Sequence, residues 1–250
     1  MKVVVTIPTY NEADNVGVLI PQILELSPDY HVLVIDDKSP DGTGDVVRRL
    51  AEGSDRVHLL EREGPRGRGR AGVDGFVRAL DMGADAVVEM DADLSHQPRH
   101  IPELCARIGA ADVVIGSRMV AGGREEGRGI ARRIITVLAN AYIRVVLGLA
   151  VRDATSGFRA FSRQALARLD LRAMRSTGPS IVQEVLFACV LQGCRVEEVP
   201  IVFVDRVAGR STFTPAVMKQ SLVNVLELRR RRAELGKRRP DAAVQGRETK

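Results

Sequence analysis

The chain has no tryptophan, and aromatic residues make up only 4% of its 250 positions. That scarcity argues against carbohydrate-binding or single-strand-binding modules built on aromatic stacking platforms. Cysteine is as sparse. Cys105, Cys189 and Cys194 are odd in number and show no CxxC spacing. Cys105 and Cys189 fall in helix-like patterns and read as small core residues of a protein kept in a reducing compartment. No apolar run reaches the roughly 20 residues that a bilayer span requires. The most apolar long stretch, Ile134 to Val151, is broken by Asn140 and Arg144. The amino terminus runs straight into a strand pattern with no sign of a secretory leader.

The net charge of +5 is unevenly placed. Residues 229 to 250 hold nine Lys or Arg and three Asp or Glu, leaving 28 basic and 29 acidic groups in the other 228 residues. The body is nearly neutral and the basic character belongs to the tail. This opposes a nucleic-acid-binding domain and leaves open a tail that touches an anionic surface. The stretch 221 to 232, SLVNVLELRRRR, mixes apolar and cationic residues as an interfacial helix does, and equally as a core helix with a solvated basic end. From residue 231 onward the tail is expected to be disordered.

Hydrophobic residues at 45% suffice for a sizeable core. Continuous Val/Ile runs at 3–8, 31–37, 57–62, 86–91 and 111–118 alternate with amphipathic patterns. Such runs predict a parallel sheet covered by helices on both faces. In the first helix Asn11 is the expected N-cap, and Val16, Leu19, Ile20, Ile23 and Leu24 share one face. After residue 120 come a basic loop, a long helix at about 130–148, the segment DATSGFRAFS, a helix near 180–192, an alternating strand at 195–206 and a helix near 214–230. We expect one catalytic domain over 1–230, with a nucleotide-binding half to about residue 120 and an acceptor half from about 121.

Ligands of parallel α/β sheets bind outside the carboxyl ends of the strands. Tyr10-Asn11-Glu12, Asp36-Asp37, Asp91 with Asp93, and Ser117-Arg118 all stand at such ends. Asp91 and Asp93 are the most informative. Side chains two apart on an extended segment point the same way, roughly 6–7 Å apart. Neighbouring carboxylates repel unless a cation lies between them. Mg²⁺ accepts few protein carboxylates and completes its shell with water and substrate phosphates. The pair therefore suggests a divalent ion bridging protein to a diphosphate. The glycine-rich stretch 64–76 lacks the G-K-[ST] of a P-loop and reads as turn and packing, with Arg68 and Arg70 near the donor.

Six motifs, IPTYNEADNV, VLVIDDKSPDGTGDVV, DADLSHQPRHIPEL, VIGSRM, DATSGFRAFSRQAL and VPIVFVDRVAGRST, follow in order over residues 3 to 213. Together they resemble the family 2 glycosyltransferases, and within them the polyprenol- or dolichol-phosphate mannose synthases. The resemblance implies a GT-A fold. It implies that Pro8, Tyr10, Glu12, Ile35 and Asp37 contact the nucleotide, and that Asp91, Ala92 and Asp93 hold the metal (Mg²⁺ or Mn²⁺) and the sugar nucleotide. It makes Arg118 and Arg206 the guanidinium groups that neutralise phosphate, with Asp93 catalytic beside them. It sets Arg132 and Arg133 near an acceptor phosphate. Where some relatives place a metal-shell Gln, Ser95 stands; where the family usually has a phosphate-binding Lys, Thr212 stands, with Arg210 two residues earlier. His96 reads as a surface or supporting residue.

The implied reaction is transfer of mannose from GDP-mannose to a polyprenyl phosphate with inversion. A phosphate acceptor is already an anion and needs no strong general base. Glu184, the one acid of VQEV, is either a base or a helix-face carboxylate paired to an Arg. Such an enzyme works on the cytosolic face of a membrane, directly or through an anchoring protein. The alternatives are the same fold with a UDP-sugar donor, a nucleotidyltransferase, which PTYNE does not fit, and a non-catalytic scaffold.

Overall fold

The computed structural model describes residues 1–205 and 215–237. Its strands are β1 (Val3–Thr9), β2 (Tyr30–Asp36), β3 (Val57–Glu61), β4 (Ala86–Glu89), β5 (Val113–Ser117), β6 (Arg124–Glu126), β7 (Arg159–Ser162), β8 (Val196–Pro200) and β9 (Val202–Val204). The helices are α1 (Ala13–Leu26), α2 (Thr43–Glu52), α3 (Arg68–Asp81), α4 (Ile101–Ala106), α5 (Ile130–Leu147), α6 (Arg163–Ala167), α7 (Ile181–Leu191), α8 (Pro215–Arg230) and α9 (Arg232–Leu235).

Seven strands form one sheet in the order β3-β2-β1-β4-β7-β5-β8. All are parallel except β7, which runs antiparallel to both β4 and β5. The mostly parallel sheet flanked by helices agrees with the sequence pattern. Alternate residues of β1, β2 and β4 feed two cores: Val4, Leu33 and Val87 one face, Val3, Val32 and Val88 the other. Each such side chain contributes roughly 1.5–3 kcal/mol. No helix among the described residues is long and apolar enough to cross a membrane.

Four features depart from the sequence expectation. The segment 159–162 is strand β7, inserted between β4 and β5. Four residues starting with an arginine carry too little pattern to be read as a buried strand. The predicted single strand at 195–206 is two: β8 joins the main sheet and β9 pairs with β6 in a separate two-stranded sheet. Pro200, with no N–H to donate, stands at the break. Asn11 is not the α1 cap. It lies at φ +61, and Glu12 is the N-cap, its side chain making no capping hydrogen bond. The cap comes from the β2–α2 loop, where Asp41 accepts from the Ala13 N–H (3.0 Å) and the Thr43 hydroxyl from the Glu12 N–H (3.0 Å).

The fourth departure is in the tail, whose residues 231–237 are structured, while 238–250 lie outside the described residues. Arg231 donates to the buried Glu184 at 2.7 Å, and the Gln192 amide donates to the carbonyls of Leu235 and Lys237. An unmatched carboxylate inside the fold is a strong reason for the chain to continue to Arg231.

Candidate active site

The carboxyl ends of β1, β2, β4 and β5 share one rim of the sheet. Antiparallel β7 brings its own start, and the 153–158 segment before it, to the same rim. Ser156 Oγ donates to the Gly116 carbonyl at 2.6 Å, and the Gly116 N–H to the Phe158 carbonyl at 2.9 Å.

Asp91 and Asp93 lie just beyond β4. Asp93 Oδ1 accepts from the Ser95 hydroxyl (2.5 Å) and the Ser95 N–H (3.1 Å). The turn that returns Ser95 to Asp93 puts Leu94 at φ +62, a left-handed conformation costing a branched residue about 1 kcal/mol. Ser95 thus orients the Asp93 carboxylate. Asp91 is held from two sides. Its N–H donates to His96 Nδ1 at 3.1 Å, and its Oδ1 accepts from Arg68 Nη2 at 3.2 Å. His96 is buried, stacked on Phe158 (5.1 Å between ring centres) and edge-on to Phe203. Burial lowers its pKa against the pull of Asp91 and Asp93. The ring is a neutral support, the second of the two readings that its loop position left open.

Among the described residues no group of three or more His, Cys, Asp or Glu is arranged to hold a metal. Two adjacent carboxylates are hard oxygen donors, a partial set that suits Mg²⁺ or Mn²⁺ and leaves most of the shell to water and phosphate. The donor set therefore fits the expected ion.

Arg68 opens α3 and reaches into this acidic cluster. Its Nη1 donates to Glu89 Oε1 at 2.7 Å, with Glu89 almost wholly buried. Burial opposes the charge of Arg68, but Glu89 and Asp91 outweigh it and its pKa is raised. The pocket around it is tight. A Cβ at Gly157 would stand 3.0 Å from Arg68 Nη2, close enough to crowd it, and 3.7 Å from Asp91 Oδ2, in ordinary contact. Glycine is required also at position 69, where a Cβ would lie 2.1 Å from the Ser176 carbonyl oxygen. In the β4–β7 register, Glu89 stands opposite the fully buried Arg159, whose guanidinium donates to the carbonyls of Val182 and Ala154. Burial lowers the Arg159 pKa to about 10, against the opposing pull of Glu89 and Asp153.

The loop before α3 links this cluster to the end of β2. Asp37 accepts from the Gly67 N–H at 2.9 Å and pairs with Arg62, which also donates to Asp74 at 2.7 Å. Arg66 lies over the half-exposed ring of Tyr10, 4.2 Å from its centre. Asp37, Tyr10 and Asp91 are thus drawn together by the consecutive residues Arg66, Gly67 and Arg68. Pro8 is half-buried in β1 opposite Ile35, and Glu12 accepts from Asn15 at 2.6 Å. Asp36 is consumed by the turn, bonding Thr9 and Ser39.

Several expected site residues take other places. Ile35 is fully buried, and a Cβ at Gly75 would stand 2.8 Å from its Cδ1, so its side chain packs under α3 and does not face the rim. Ala92 is likewise buried. Arg118, expected to clamp phosphate, is locked in place. It grips Asp153 through Nε (2.8 Å) and Nη2 (2.7 Å), donates to Thr155, and lies 3.3 Å from Glu125. Two carboxylates already match its charge, and only 8% of its side chain is exposed. Burial would raise the Asp153 pKa, but Arg118 holds it down to about 2.

Arg132 pairs with Asp205 at 3.2 Å, and Arg133 donates to the Glu125 carbonyl at 2.6 Å, both at the exposed start of α5. Arg70 points to the Pro65 carbonyl. Glu184 is fully buried and accepts from the N–H groups of Arg175 and Ser176 as well as from Arg231. This is the structural alternative. Arg206, Arg210 and Thr212 lie outside the described residues. Cys105, Cys189 and Cys194 are buried free thiols.

Sequence reasoning missed Glu89 and Asp153. The lone acid within an apolar strand signals a buried charge that needs a partner, which marks Glu89. Nothing local marks Asp153, whose partner is 35 residues away.

The model of Glycosyl transferase family 2 matches residues 4–170. An undecaprenyl-phosphate mannosyltransferase of Micrococcus luteus is 40% identical over 225 residues, covering 90% of this chain and 93% of its own. A polyprenol monophosphomannose synthase of Mycolicibacterium smegmatis is 37% identical over 228 residues, covering 90% and 86%. Among solved structures, glucosyl-3-phosphoglycerate synthase from Mycobacterium tuberculosis, in complex with Mn²⁺, UDP and glucosyl-3-phosphoglycerate, aligns at TM-score 0.66 and 20% identity. That alignment covers 93% of this chain and 80% of the other, and bears out the expected GT-A type fold.

Proposed function

As the chain belongs to glycosyl transferase family 2, we propose that it moves mannose from GDP-mannose to a polyprenyl phosphate with inversion at the anomeric carbon. The observation that carries this reading is the convergence of Asp37, Tyr10 and Asp91 on one rim through the segment Arg66-Gly67-Arg68, with Asp93 two residues beyond Asp91. The names of the two relatives support both the sugar and the acceptor class.

In this reading Asp91 and Asp93 hold the divalent ion, which when bound offsets the charge that gathers on the leaving diphosphate. Ser95 and His96 fix the two ligands before substrate arrives, so no reorganisation is needed at the moment of reaction. The Asp37 carboxylate accepts hydrogen bonds from the base or ribose once Arg62 and the Gly67 N–H share it, and Tyr10 with Glu12 borders the nucleotide. Arg118 acts as a positioning residue that ties the end of β5 to Asp153. Arg206 supplies the positive charge expected of the VDR motif. Arg132 and Arg133 receive the acceptor phosphate, which attacks as an anion. That chemistry agrees with a Glu184 engaged in structure and unused as a base. The acceptor is drawn from a bilayer, so the protein works at the cytosolic membrane face.

The test is incubation with labelled GDP-mannose, or with UDP-glucose, plus polyprenyl phosphate and Mg²⁺ or Mn²⁺, followed by organic extraction. Label from GDP-mannose in the lipid phase is expected, and it should vanish with chelator. Label from UDP-glucose alone would overturn the donor assignment. Label from neither donor would overturn the reaction.

A further inference from the structure

Helix α7 ends on two cysteines held against each other. In the stretch Cys189-Val190-Leu191-Gln192-Gly193-Cys194, Gly193 is left-handed at φ +77. The Cys194 N–H donates to the Cys189 carbonyl at 3.0 Å, and the Gly193 N–H to the Val190 carbonyl at 3.0 Å. These nested bonds are the ending that a left-handed glycine gives a helix. They fold the residue after the glycine back over the third residue from the helix end, a contact that is ordinarily apolar. Here both members are cysteine, and the two thiols are hydrogen-bonded to each other. Backbones bridged in this way stand within the roughly 4.4–6.8 Å between Cα atoms that a disulfide spans.

The two thiols differ. Cys189 is fully buried, whereas Cys194 keeps 8% of its surface open, so a reagent from solution meets Cys194 first. Arg168, the cap residue of α6, hydrogen-bonds the Cys194 sulfur. Asp112, just before β5, accepts from the Arg195 N–H at 2.8 Å and returns its own N–H to the Arg195 carbonyl at 2.9 Å. That exchange fixes the chain next to Cys194. The Cys189 thiol and the Arg168 guanidinium favour a thiolate at position 194, against burial and Asp112, and bring its pKa down to about 7. The same thiol pairing, together with burial, raises that of Cys189. Cys105 is the contrast within the chain: it is buried beside Tyr30, and burial pushes its thiol up to about 11.

Thiolate character, access and an adjoining second thiol together distinguish redox-reactive cysteines from inert core ones. We propose that Cys194 and Cys189 form a reversible oxidation site, at which a hydroperoxide converts the pair to a disulfide. The Cys194 thiolate attacks one peroxide oxygen; the S–O bond forms as the O–O bond breaks, and the leaving hydroxide or alkoxide takes a proton from solvent. Cys189 then attacks the Cys194 sulfur. The S–S bond forms, the S–O bond breaks, and the departing hydroxide leaves as water with the Cys189 proton. With hydrogen peroxide, two thiols give one disulfide and two waters, and the peroxide gains the two electrons that the sulfurs lose. Exchange with a small dithiol reverses the step. The disulfide closes at the end of α7, where the Gln192 amide holds the carbonyls of Leu235 and Lys237. It uses none of the residues of the proposed transfer site.

The experiment treats the full chain, free of other thiols, with a few equivalents of hydrogen peroxide. Remaining thiols are blocked with iodoacetamide under denaturing conditions, and the chain is digested with trypsin without reduction. Both cysteines fall in one peptide, 176–195, between Arg175 and Arg195. That peptide should lose two hydrogens and take up no iodoacetamide, while Cys105 stays fully alkylated. Dithiothreitol should restore both thiols. In Cys189→Ser, Cys194 should stop as a sulfenic acid that dimedone traps. In Cys194→Ser, oxidation of the thiol left at 189 should be at least about tenfold slower than that of the pair. Circular dichroism checks that both variants fold, and the result on the parent chain stands without them.

A parent peptide that keeps two free thiols overturns the site. Oxidation of Cys194 onward to sulfinic acid at one rate in the parent and in Cys189→Ser shows that Cys189 does not resolve it, and overturns the pair. Equal oxidation of Cys105 and Cys194 makes the reaction indiscriminate and overturns the proposal as well.

Discussion

Arg68 and Asp91, 23 residues apart, meet at 3.2 Å, with the second guanidinium nitrogen of Arg68 on Glu89 at 2.7 Å. One arginine thus bridges a carboxylate sealed inside the sheet and a carboxylate at the proposed metal position. A divalent ion and Arg68 both draw on the negative charge of Asp91, so ion binding and the Arg68 contact oppose each other electrostatically. Arg68 also continues the loop whose Gly67 N–H rests on Asp37. Any shift of Arg68 is therefore felt at Asp37, the proposed nucleotide end of the site.

Replacing Arg68 by Gln separates the two roles. Glu89 loses its cation while buried, a change that costs about 3 kcal/mol or more. The metal-free protein should melt several degrees lower. Its melting point should rise further on adding Mn²⁺ than the parent's does, because the competing charge is gone. A thermal-shift titration reads both effects. An equal Mn²⁺ increment in the two proteins would show that Arg68 does not oppose the ion.

Asp93→Asn keeps an oxygen for the Ser95 hydroxyl and N–H and should fold with a melting point near the parent's. It removes half of the proposed charge pair. Mn²⁺ affinity, measured by electron paramagnetic resonance of the free ion, should fall at least tenfold. Turnover should fall on the order of 100-fold or more. Unchanged affinity would remove Asp93 from the metal site.

Glu184→Gln distinguishes structure from base catalysis. Arg231 would lose its buried partner, and the N–H groups of Arg175 and Ser176 would keep only a neutral acceptor. The melting temperature should drop, while kcat at a permissive temperature stays within a few-fold and the pH–rate profile keeps its shape. Loss of a limb of that profile would make Glu184 a base after all.

Asp153 carries an acid-sensitive part of the stability. Its folded pKa of about 2 lies below the ordinary aspartate value of 3.8. The stabilisation is complete above the unfolded pKa and is lost as pH falls toward 2. It amounts to about 2 kcal/mol at neutral pH and shrinks by about 1 kcal/mol by pH 3. In urea unfolding, the gap between the parent and Asp153→Asn should narrow accordingly between pH 6 and pH 3. A constant gap would show that the carboxylate's charge is not what Arg118 needs.

Much of the fold was legible because the information is local. Val/Ile runs bounded by turns determined β1 to β5, and the strand-end rule alone carries Tyr10, Asp37, Asp91 and Asp93 to one rim. The position of β7 was not legible. Antiparallel insertion between β4 and β5 depends on what its two neighbours leave open, which four residues do not encode. Side-chain occupancy was out of reach for the same reason. A guanidinium in a motif looks alike whether it waits for phosphate or is already held. Only packing placed Asp153 against Arg118, Arg231 against Glu184, and Arg68 between Glu89 and Asp91. Sequence determined which charges stand near the rim; tertiary structure decided which are already neutralised, because pairing in a low-dielectric interior depends on distances between segments far apart in the chain.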